Sequence, residues 1–194
     1  MSTNINTTPT GFRPLGTNLQ GGPGRIKQYA QPASDSHQIF KWDMVTLVAG
    51  SSAAQEGYPT LNLQNIKSYS QGTPGTTPIL GACANGNTAA STLGFLMVYD
   101  DPFQLFQAML ANDGPTVFSV ATYGADNANV KNTAAATGAL FSAMAIEDTS
   151  LNTTNTLDLH INGALSQPPN VESNYAILEV TINRHQLQNQ VAGV

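Results

Sequence analysis

Charged side chains are scarce in this chain, and positively charged ones are the scarcest. Lysine and arginine together number 7 among 194 residues, and the charged fraction is 10%, against roughly 25% in an average soluble domain. A surface that binds nucleic acid needs clustered cations to neutralise phosphates. Here the cations are scattered between Arg13 and Arg184. We therefore expect neither direct nucleic-acid binding nor attraction to an anionic membrane.

Cysteine is almost absent as well. Cys83 is the one cysteine, which excludes an intrachain disulfide. Nothing beside it in "ILGACANG" would lower the pKa of its thiol, so we interpret it as a small buried apolar residue rather than a nucleophile. The segment "MSTNINTTPTGF" has no basic start and no apolar core, which argues against a secretory signal. No apolar run approaches the roughly 20 residues of a membrane helix.

Recognisable catalytic and metal-binding motifs are also missing. The chain contains no G-x-S-x-G, P-loop, H-E-x-x-H or paired C-x-x-C sequence. The histidines His37, His160 and His185 are far apart in sequence. One of them on a three-fold axis would suit a three-histidine metal site, but a hydrogen-bonding role is the favoured interpretation. We predict that the protein is not an enzyme, with no catalytic residues, no metal site and no cofactor.

What the chain has instead is uncharged polarity. Asn, Thr, Ser and Gln are abundant, together with 17 glycines and 11 prolines, a composition typical of strands and turns. Roughly nine to eleven short segments have strand character, and none shows a long helical pattern. We therefore predict an all-β fold, an antiparallel β-sandwich or barrel.

Alternation of apolar and polar residues predicts which strand faces are buried. One segment, "PFQLFQAML", is ambiguous, because Phe103, Phe106 and Leu110 fit a helix whereas Phe103, Leu105 and Met109 fit a strand. The faces predicted elsewhere are Val45 and Leu47 opposite Met44, Thr46 and Val48; Leu140, Ser142, Met144 and Ile146 opposite Phe141, Ala143 and Ala145; Leu157, Leu159 and Ile161 opposite Asp158, His160 and Asn162; and Ala176, Leu178, Val180 and Ile182 opposite Glu179, Thr181 and Asn183.

Residues 1–24 differ from the rest of the chain. Gly, Pro, Thr and Asn dominate there, which leaves little apolar surface to offset the entropy of ordering. We predict an extended, flexible N-terminal arm over residues 1–24 and a single β-rich body over residues 25–194. Phe12, Arg13 and Leu15 form an isolated group within the arm, and we expect them to contact a partner or a second subunit. Deletion of residues 1–20 should then leave a folded body.

The stretch "VYDDPFQLFQ" contains the most conspicuous acidic pair. Pro102 keeps Asp101 out of the α region, and aspartates readily bond to backbone amides in turns. Neighbours on an extended backbone point to opposite sides, so Asp100 and Asp101 make a weak catalytic dyad. We predict that Asp100, Asp101 and Pro102 form a structural corner between strands rather than a metal site or an active site.

Several of these segments, taken in order, resemble a known family. "TGFRPL", "DMVTLVAG", "ILGACANG", "VYDDPFQLFQ", "DTSLNTTNTLDLHI" and "NYAILEVTINRHQL" are similar to motifs of the head decoration (cement) proteins of tailed bacteriophages. The similarity runs from Gly11 to Leu187. It implies an all-β homotrimer on the capsid exterior, synthesised in the host cytoplasm, that bridges major capsid protein subunits and stabilises their contacts.

Two other functions stay open at this point. One is a different virion component, a tail or host-adsorption protein that binds glycans; the loop containing Tyr123, Asp126 and Asn127 offers the aromatic and amide groups such a site uses. The other is a glycan hydrolase that uses Asp100 or Asp101. The decoration protein is the favoured prediction.

Overall fold

The computed structural model confirms the all-β prediction. It describes residues 8–17, 24–55, 58–86, 91–114, 118–119, 121, 126–136, 138–165, 173 and 175–188. The strands are β1 (Arg13–Thr17), β2 (Ile26–Gln31), β3 (Met44–Gln55), β4 (Tyr58–Ser68), β5 (Gly81–Cys83), β6 (Gly94–Tyr99), β7 (Gln104–Met109), β8 (Asn127–Ala128), β9 (Val130–Lys131), β10 (Ala145–Ile146), β11 (Leu159–Ala164) and β12 (Ile177–Ile182). Two 3₁₀ turns cover Tyr69–Gln71 and Asp148–Ser150.

Five of the strands close into a barrel. Its order is β2-β4-β3-β5-β6, and β6 returns to β2. The β2–β6 pair is antiparallel along the whole of β2, from Ile26 opposite Tyr99 to Gln31 opposite Gly94. The β2–β4 pair is parallel and short, with Ala30 opposite Asn65. Closure leaves the barrel without the free edges that promote aggregation of open sheets.

A separate five-stranded sheet is built mainly from the second half of the chain. Its order is β1-β7-β12-β11-β8, with every neighbouring pair antiparallel. The strands β9 and β10 form a small two-stranded sheet. The long sheet therefore has one edge made by β1, from near the N-terminus, and the other made by the short β8.

Buried side chains form two cores. The barrel interior holds Tyr29, Ile39, Val45, Leu47, Ile66, Leu80, Cys83, Leu96 and Val98. The larger core joins sheet residues such as Phe106, Leu159 and Val180 to Met44 and Ala82 of barrel strands. Strand β3 serves both cores, because Val45 and Leu47 face the barrel interior while Met44 faces the sheet. This confirms the alternation predicted for β3 and explains why both of its faces are apolar.

The predicted faces of the sheet strands are also confirmed in large part. Leu178, Val180 and Ile182 of β12 are buried, and the residues between them are half-buried. The ambiguous segment is strand β7, but its buried face carries Gln104, Phe106 and Ala108. Of the predicted strand face, Met109 is buried, but Phe103 and Leu105 lie on the outer side. The side chain of Gln104 is buried instead and donates to the carbonyl oxygens of Gly16 and Leu105.

In the segment before β10, the predicted face is correct only in part. Ser142, Met144 and Ile146 are buried as predicted, but Leu140 is 81% exposed and its neighbour Phe141 is 40% exposed. The regular strand is confined to Ala145–Ile146. The alternation therefore extends beyond the buried part of this segment and leaves two large apolar side chains at the surface.

The N-terminal residues that the structure describes, 8–17, do not form a free arm. Strand β1 pairs with β7, with Arg13 opposite Gln107, and the side chain of Phe12 is fully buried in the larger core. The rest of the predicted arm, residues 1–7 and 18–23, lies outside the described residues. We accordingly revise the expected effect of deleting residues 1–20, because it would remove β1 and a core aromatic side chain.

Substitution of Phe12 tests this attachment. Phe12→Ala should destabilise the protein by about 3–5 kcal/mol, since it removes a buried aromatic side chain and leaves a cavity. Leu15→Ala, a change three residues further along the chain at a residue of β1 that is 39% exposed, is the matched control and should cost less than about 1 kcal/mol. Urea unfolding monitored by circular dichroism measures both. Equal stability of Phe12→Ala and the wild type would contradict the assignment of Phe12 to the core.

Candidate interaction surface

The Asp100–Pro102 segment lies where the chain passes from the barrel to the sheet, between the end of β6 and the start of β7. The carboxylate of Asp100 is fully buried. It accepts hydrogen bonds from Arg25 Nε at 2.7 Å, Arg25 Nη2 at 3.1 Å and the Tyr29 hydroxyl at 2.6 Å. Three donors thus hold one carboxylate, and they tie the corner to β2 and to the residue before it.

The electrostatics of this cluster fit a structural role. Burial, together with the hydrogen bond to Asp100, raises the pKa of Tyr29, so its hydroxyl stays a donor at all physiological pH values. The hydrogen bond to Asp100 raises the pKa of Arg25. A carboxylate saturated by a guanidinium and a phenol has little capacity left to act as a base or a metal ligand.

Asp101 has different partners from Asp100. Its Oδ1 accepts the backbone N–H of Phe103 at 2.9 Å, which closes a turn, and its Oδ2 lies 3.4 Å from the backbone N of Arg25. Asp101 is half-buried, whereas Asp100 is buried. The two carboxylates therefore serve one change of chain direction by separate contacts and do not share a substrate-sized space.

Substituting the two aspartates separately tests these roles. Asp100→Asn should destabilise the protein by roughly 1–3 kcal/mol, because it leaves Tyr29 and Arg25 without their charged acceptor. Asp101→Asn keeps an oxygen that can accept the Phe103 N–H, and should cost less than about 0.5 kcal/mol. Thermal unfolding compares them. A larger loss of stability for Asp101→Asn than for Asp100→Asn would contradict this description.

A second buried carboxylate connects distant loops. It belongs to Asp158, which the alternation placed on the polar face opposite Leu157 and Leu159, so that prediction is wrong at this residue. Asp158 is fully buried and accepts from the Tyr69 hydroxyl at 2.9 Å, from Gly75 N at 2.9 Å and from Val130 N at 3.1 Å. Burial raises its pKa. Its partners are 28 to 89 positions away in the chain, so no local sequence pattern could predict these hydrogen bonds.

The three histidines lie in different settings. The side chain of His37 is half exposed, His160 is half-buried on β11, and His185 is fully buried. Within the described residues, no group of three or more His, Cys, Asp or Glu side chains is placed to hold a metal ion. Cys83 is buried, and burial raises the pKa of its thiol to about 12, which leaves it protonated and unreactive.

His185 is expected to make stability depend on pH. Its Nδ1 accepts the backbone N–H of Leu187 at 3.1 Å, and burial lowers its pKa to about 4 from about 6.5 in an unfolded chain. The unfolded state therefore binds a proton first as the pH falls. The contribution of His185 is fully present above pH 6.5 and is lost as the pH falls toward 4, by about 3 kcal/mol in total.

A difference measurement isolates this contribution. His185→Gln offers an oxygen to the Leu187 N–H but has no titrating proton. Urea unfolding of both proteins between pH 4 and 7 should show the wild type losing stability relative to His185→Gln as the pH falls. A difference that does not vary with pH would contradict the buried neutral imidazole.

The most exposed apolar side chains near β1 belong to a surface that combines aromatic rings and cations. We call it the Trp42 patch and define it as Arg13, Lys41, Trp42, Leu140 and Phe141. The Arg13 guanidinium lies 6.0 Å from the centre of the Phe141 ring, and Lys41 Nζ lies 4.6 Å from that of Trp42. A backbone bridge joins Lys41 to Phe141. The patch is therefore contiguous although its residues come from three parts of the chain.

Trp42 is held in an unusual backbone conformation at the centre of this patch. Its φ is 71°, a left-handed value that costs a bulky residue on the order of 1–3 kcal/mol. Its carbonyl accepts the Phe12 N–H at 3.0 Å and its N–H donates to the Cys83 carbonyl at 2.8 Å. Its ring lies 6.4 Å from that of Tyr99. These contacts hold Trp42 in its strained conformation. Strained backbone of this kind is frequent at functional surfaces.

The residues predicted from sequence to contact a partner are distributed as follows. Arg13 belongs to the Trp42 patch, and Leu15 is exposed on the same strand. Phe12 is fully buried within this chain, so it supports the patch through Trp42 and is not itself available for contact. No sequence pattern pointed to Lys41, Trp42, Leu140 or Phe141 as contact residues, because their proximity arises from tertiary pairing.

Comparisons of the chain with protein-family models, with curated proteins and with solved structures found no match. No described helix is long and apolar enough to cross a membrane. The family resemblance of the ordered motifs stays a prediction.

Proposed function

We propose that this chain is a structural virion protein, a decoration or cement protein that binds the outer surface of a bacteriophage head and stabilises contacts between major capsid protein subunits. The ordered motifs support this proposal at the level of sequence. The observation that carries it is the Trp42 patch, a surface that combines exposed apolar side chains with two cations.

The composition of the patch is that of a protein-binding surface. Tryptophan and arginine are enriched among the residues that dominate binding energy, and Leu140 at 81% exposure presents its whole side chain to a partner. Burial of one such side chain contributes about 1.5–3 kcal/mol. Each copy would then bind modestly, and subunits joined in a homotrimer would bind more tightly because their contacts act together.

The charges of the patch indicate the character of the partner surface. Among the described residues, no carboxylate forms an ion pair with Arg13 or Lys41, whereas Arg25 and Lys131 each have an acidic partner. Two unpaired cations beside exposed apolar side chains complement a surface that carries carboxylates. We expect this part of the major capsid protein to be apolar and acidic, and the homotrimer to lie on the capsid exterior without contacting nucleic acid.

The alternative, a tail or host-adsorption protein, makes a different prediction. A decoration protein is present in many copies on heads and binds heads that lack it, whereas a tail component is found in tail fractions at low copy number. Native mass spectrometry of the purified chain distinguishes the expected trimer from a monomer.

Binding to heads tests the patch directly. Leu140→Ser changes a side chain with few internal contacts, and should weaken co-sedimentation with expanded, decoration-free heads roughly ten-fold. Leu93→Ser is the matched control, since Leu93 is 43% exposed and immediately precedes β6, whose other end carries Tyr99, the neighbour of Trp42, roughly 20 Å away along the strand. Both variants should unfold at the temperature of the wild type.

One result would contradict the decoration function, and another would contradict the role of the Trp42 patch. Wild-type chain that fails to bind such heads would reject the decoration function itself. Equal binding of Leu140→Ser and Leu93→Ser would keep the function but show that the Trp42 patch is not the contact surface. Lys41→Gln provides a further check, because it should reduce the salt dependence of binding if the partner surface is acidic.

A further inference from the structure

A small pocket lies on the outer face of the five-stranded sheet, next to the Asp100–Pro102 corner. It has a volume of about 190 Å³ and is lined by Pro102, Phe103, His160, Thr181, Asn183 and Gln188, among others. Phe103 is 48% exposed, so one ring forms part of the wall. The floor includes His160 of β11 and Thr181 of β12, which lie opposite each other, and Asn127 of β8 lies opposite His160 behind the lining residues.

Hydrogen bonds fix the polar groups of this floor. Asn127 Oδ1 accepts from Asn183 Nδ2 at 2.8 Å and lies 3.0 Å from His160 Nδ1. Asn127 Nδ2 in turn donates to the Thr153 carbonyl at 3.4 Å. Because an amide oxygen cannot donate, His160 Nδ1 must carry the hydrogen. The other ring nitrogen, Nε2, lies on the opposite edge of the imidazole.

The residues that line the pocket carry no acidic or basic side chain, which restricts the class of ligand that can bind. None of the residues that line the pocket is an aspartate, glutamate, lysine or arginine, so it offers no counter-charge to a phosphate, a carboxylate or a metal ion. It offers the imidazole of His160, the hydroxyl of Thr181 and the amides of Asn183 and Gln188. The Asn183 Nδ2 group donates to Asn127 Oδ1 and to the Leu159 carbonyl, so Asn183 presents its amide oxygen as an acceptor. The pocket also offers the apolar face of an aromatic ring. A ligand that matches has hydroxyl groups at its rim and C–H groups on one face.

We propose that this pocket binds one neutral pyranose ring, which stacks on Phe103 and bonds through its hydroxyl groups to His160, Thr181, Asn183 and Gln188. The volume is smaller than the roughly 300–1,000 Å³ of pockets for drug-sized ligands, so it suits a single sugar rather than an oligosaccharide. The proposal does not depend on the decoration function, because the pocket and the Trp42 patch share no residue.

Ligand-observed NMR on the full chain tests the proposal. The probes are the methyl glycosides of glucose, galactose and N-acetylglucosamine, with glycerol and inorganic phosphate as controls. At least one glycoside should receive saturation transfer at its ring C–H protons, with a dissociation constant in the roughly millimolar range. Glycerol lacks a ring face and phosphate is an anion, so both should give no comparable signal.

Variants locate the binding. Phe103→Ala changes a half-exposed side chain, and should weaken binding at least ten-fold while leaving the melting temperature unchanged. Gln188→Ala should weaken it less, and Leu93→Ser should leave it unchanged. The proposal is overturned if none of the three glycosides binds, if glycerol binds as well as they do, or if Phe103→Ala binds like the wild type. If the wild-type chain binds a glycoside but does not bind decoration-free heads, the decoration function is rejected and the sugar site is not.

Discussion

The buried carboxylate of Asp100 is the interaction on which the arrangement of barrel and sheet depends. A buried charge is tolerated when its hydrogen-bonding capacity is filled, and here Arg25 and Tyr29 fill it from the strand paired with β6 and the residue before that strand. The direction in which the chain leaves the barrel is thereby fixed. Because β7 lies between β1 and β12 in the sheet, the placement of that sheet follows from this corner.

The same solution appears at a second junction. Asp158 accepts a tyrosine hydroxyl and two backbone N–H groups, just as Asp100 accepts a tyrosine hydroxyl and a guanidinium. A chain in which only 10% of residues are charged thus buries several carboxylates, and two of them, Asp100 and Asp158, lie where loops and strands from distant parts of the sequence meet. Both sites are directional, which an apolar contact of the same size would not be.

Which features the sequence could predict depends on how far apart in the chain the interacting residues are. Alternation along β3 and β12 is local, so the sequence predicted their buried faces. The partners of Asp100 are 71 and 75 positions away, and no local pattern identifies them. Phe12 was assigned to a flexible arm because its neighbours are turn formers, while its burial depends on β7 and on the Trp42 carbonyl. Leu140 and Phe141 fit the alternation of the segment before β10, but the strand itself is confined to Ala145–Ile146. Both side chains therefore lie at the surface.

The five residues from Tyr99 to Phe103 connect the two outward-facing features of the molecule. The ring of Tyr99 lies against Trp42 of the patch, and Phe103 forms a wall of the sugar-sized pocket. Between them stands the Asp100 cluster, whose hydrogen bonds hold both ends of this stretch in place. Rigid placement of side chains lowers the entropic cost of ordering them when a partner binds. The hydrogen bonds of the acidic pair therefore fix the positions of two exposed features, Tyr99 beside the Trp42 patch, which we propose as a protein contact, and Phe103 in the pocket, which we propose as a ligand site.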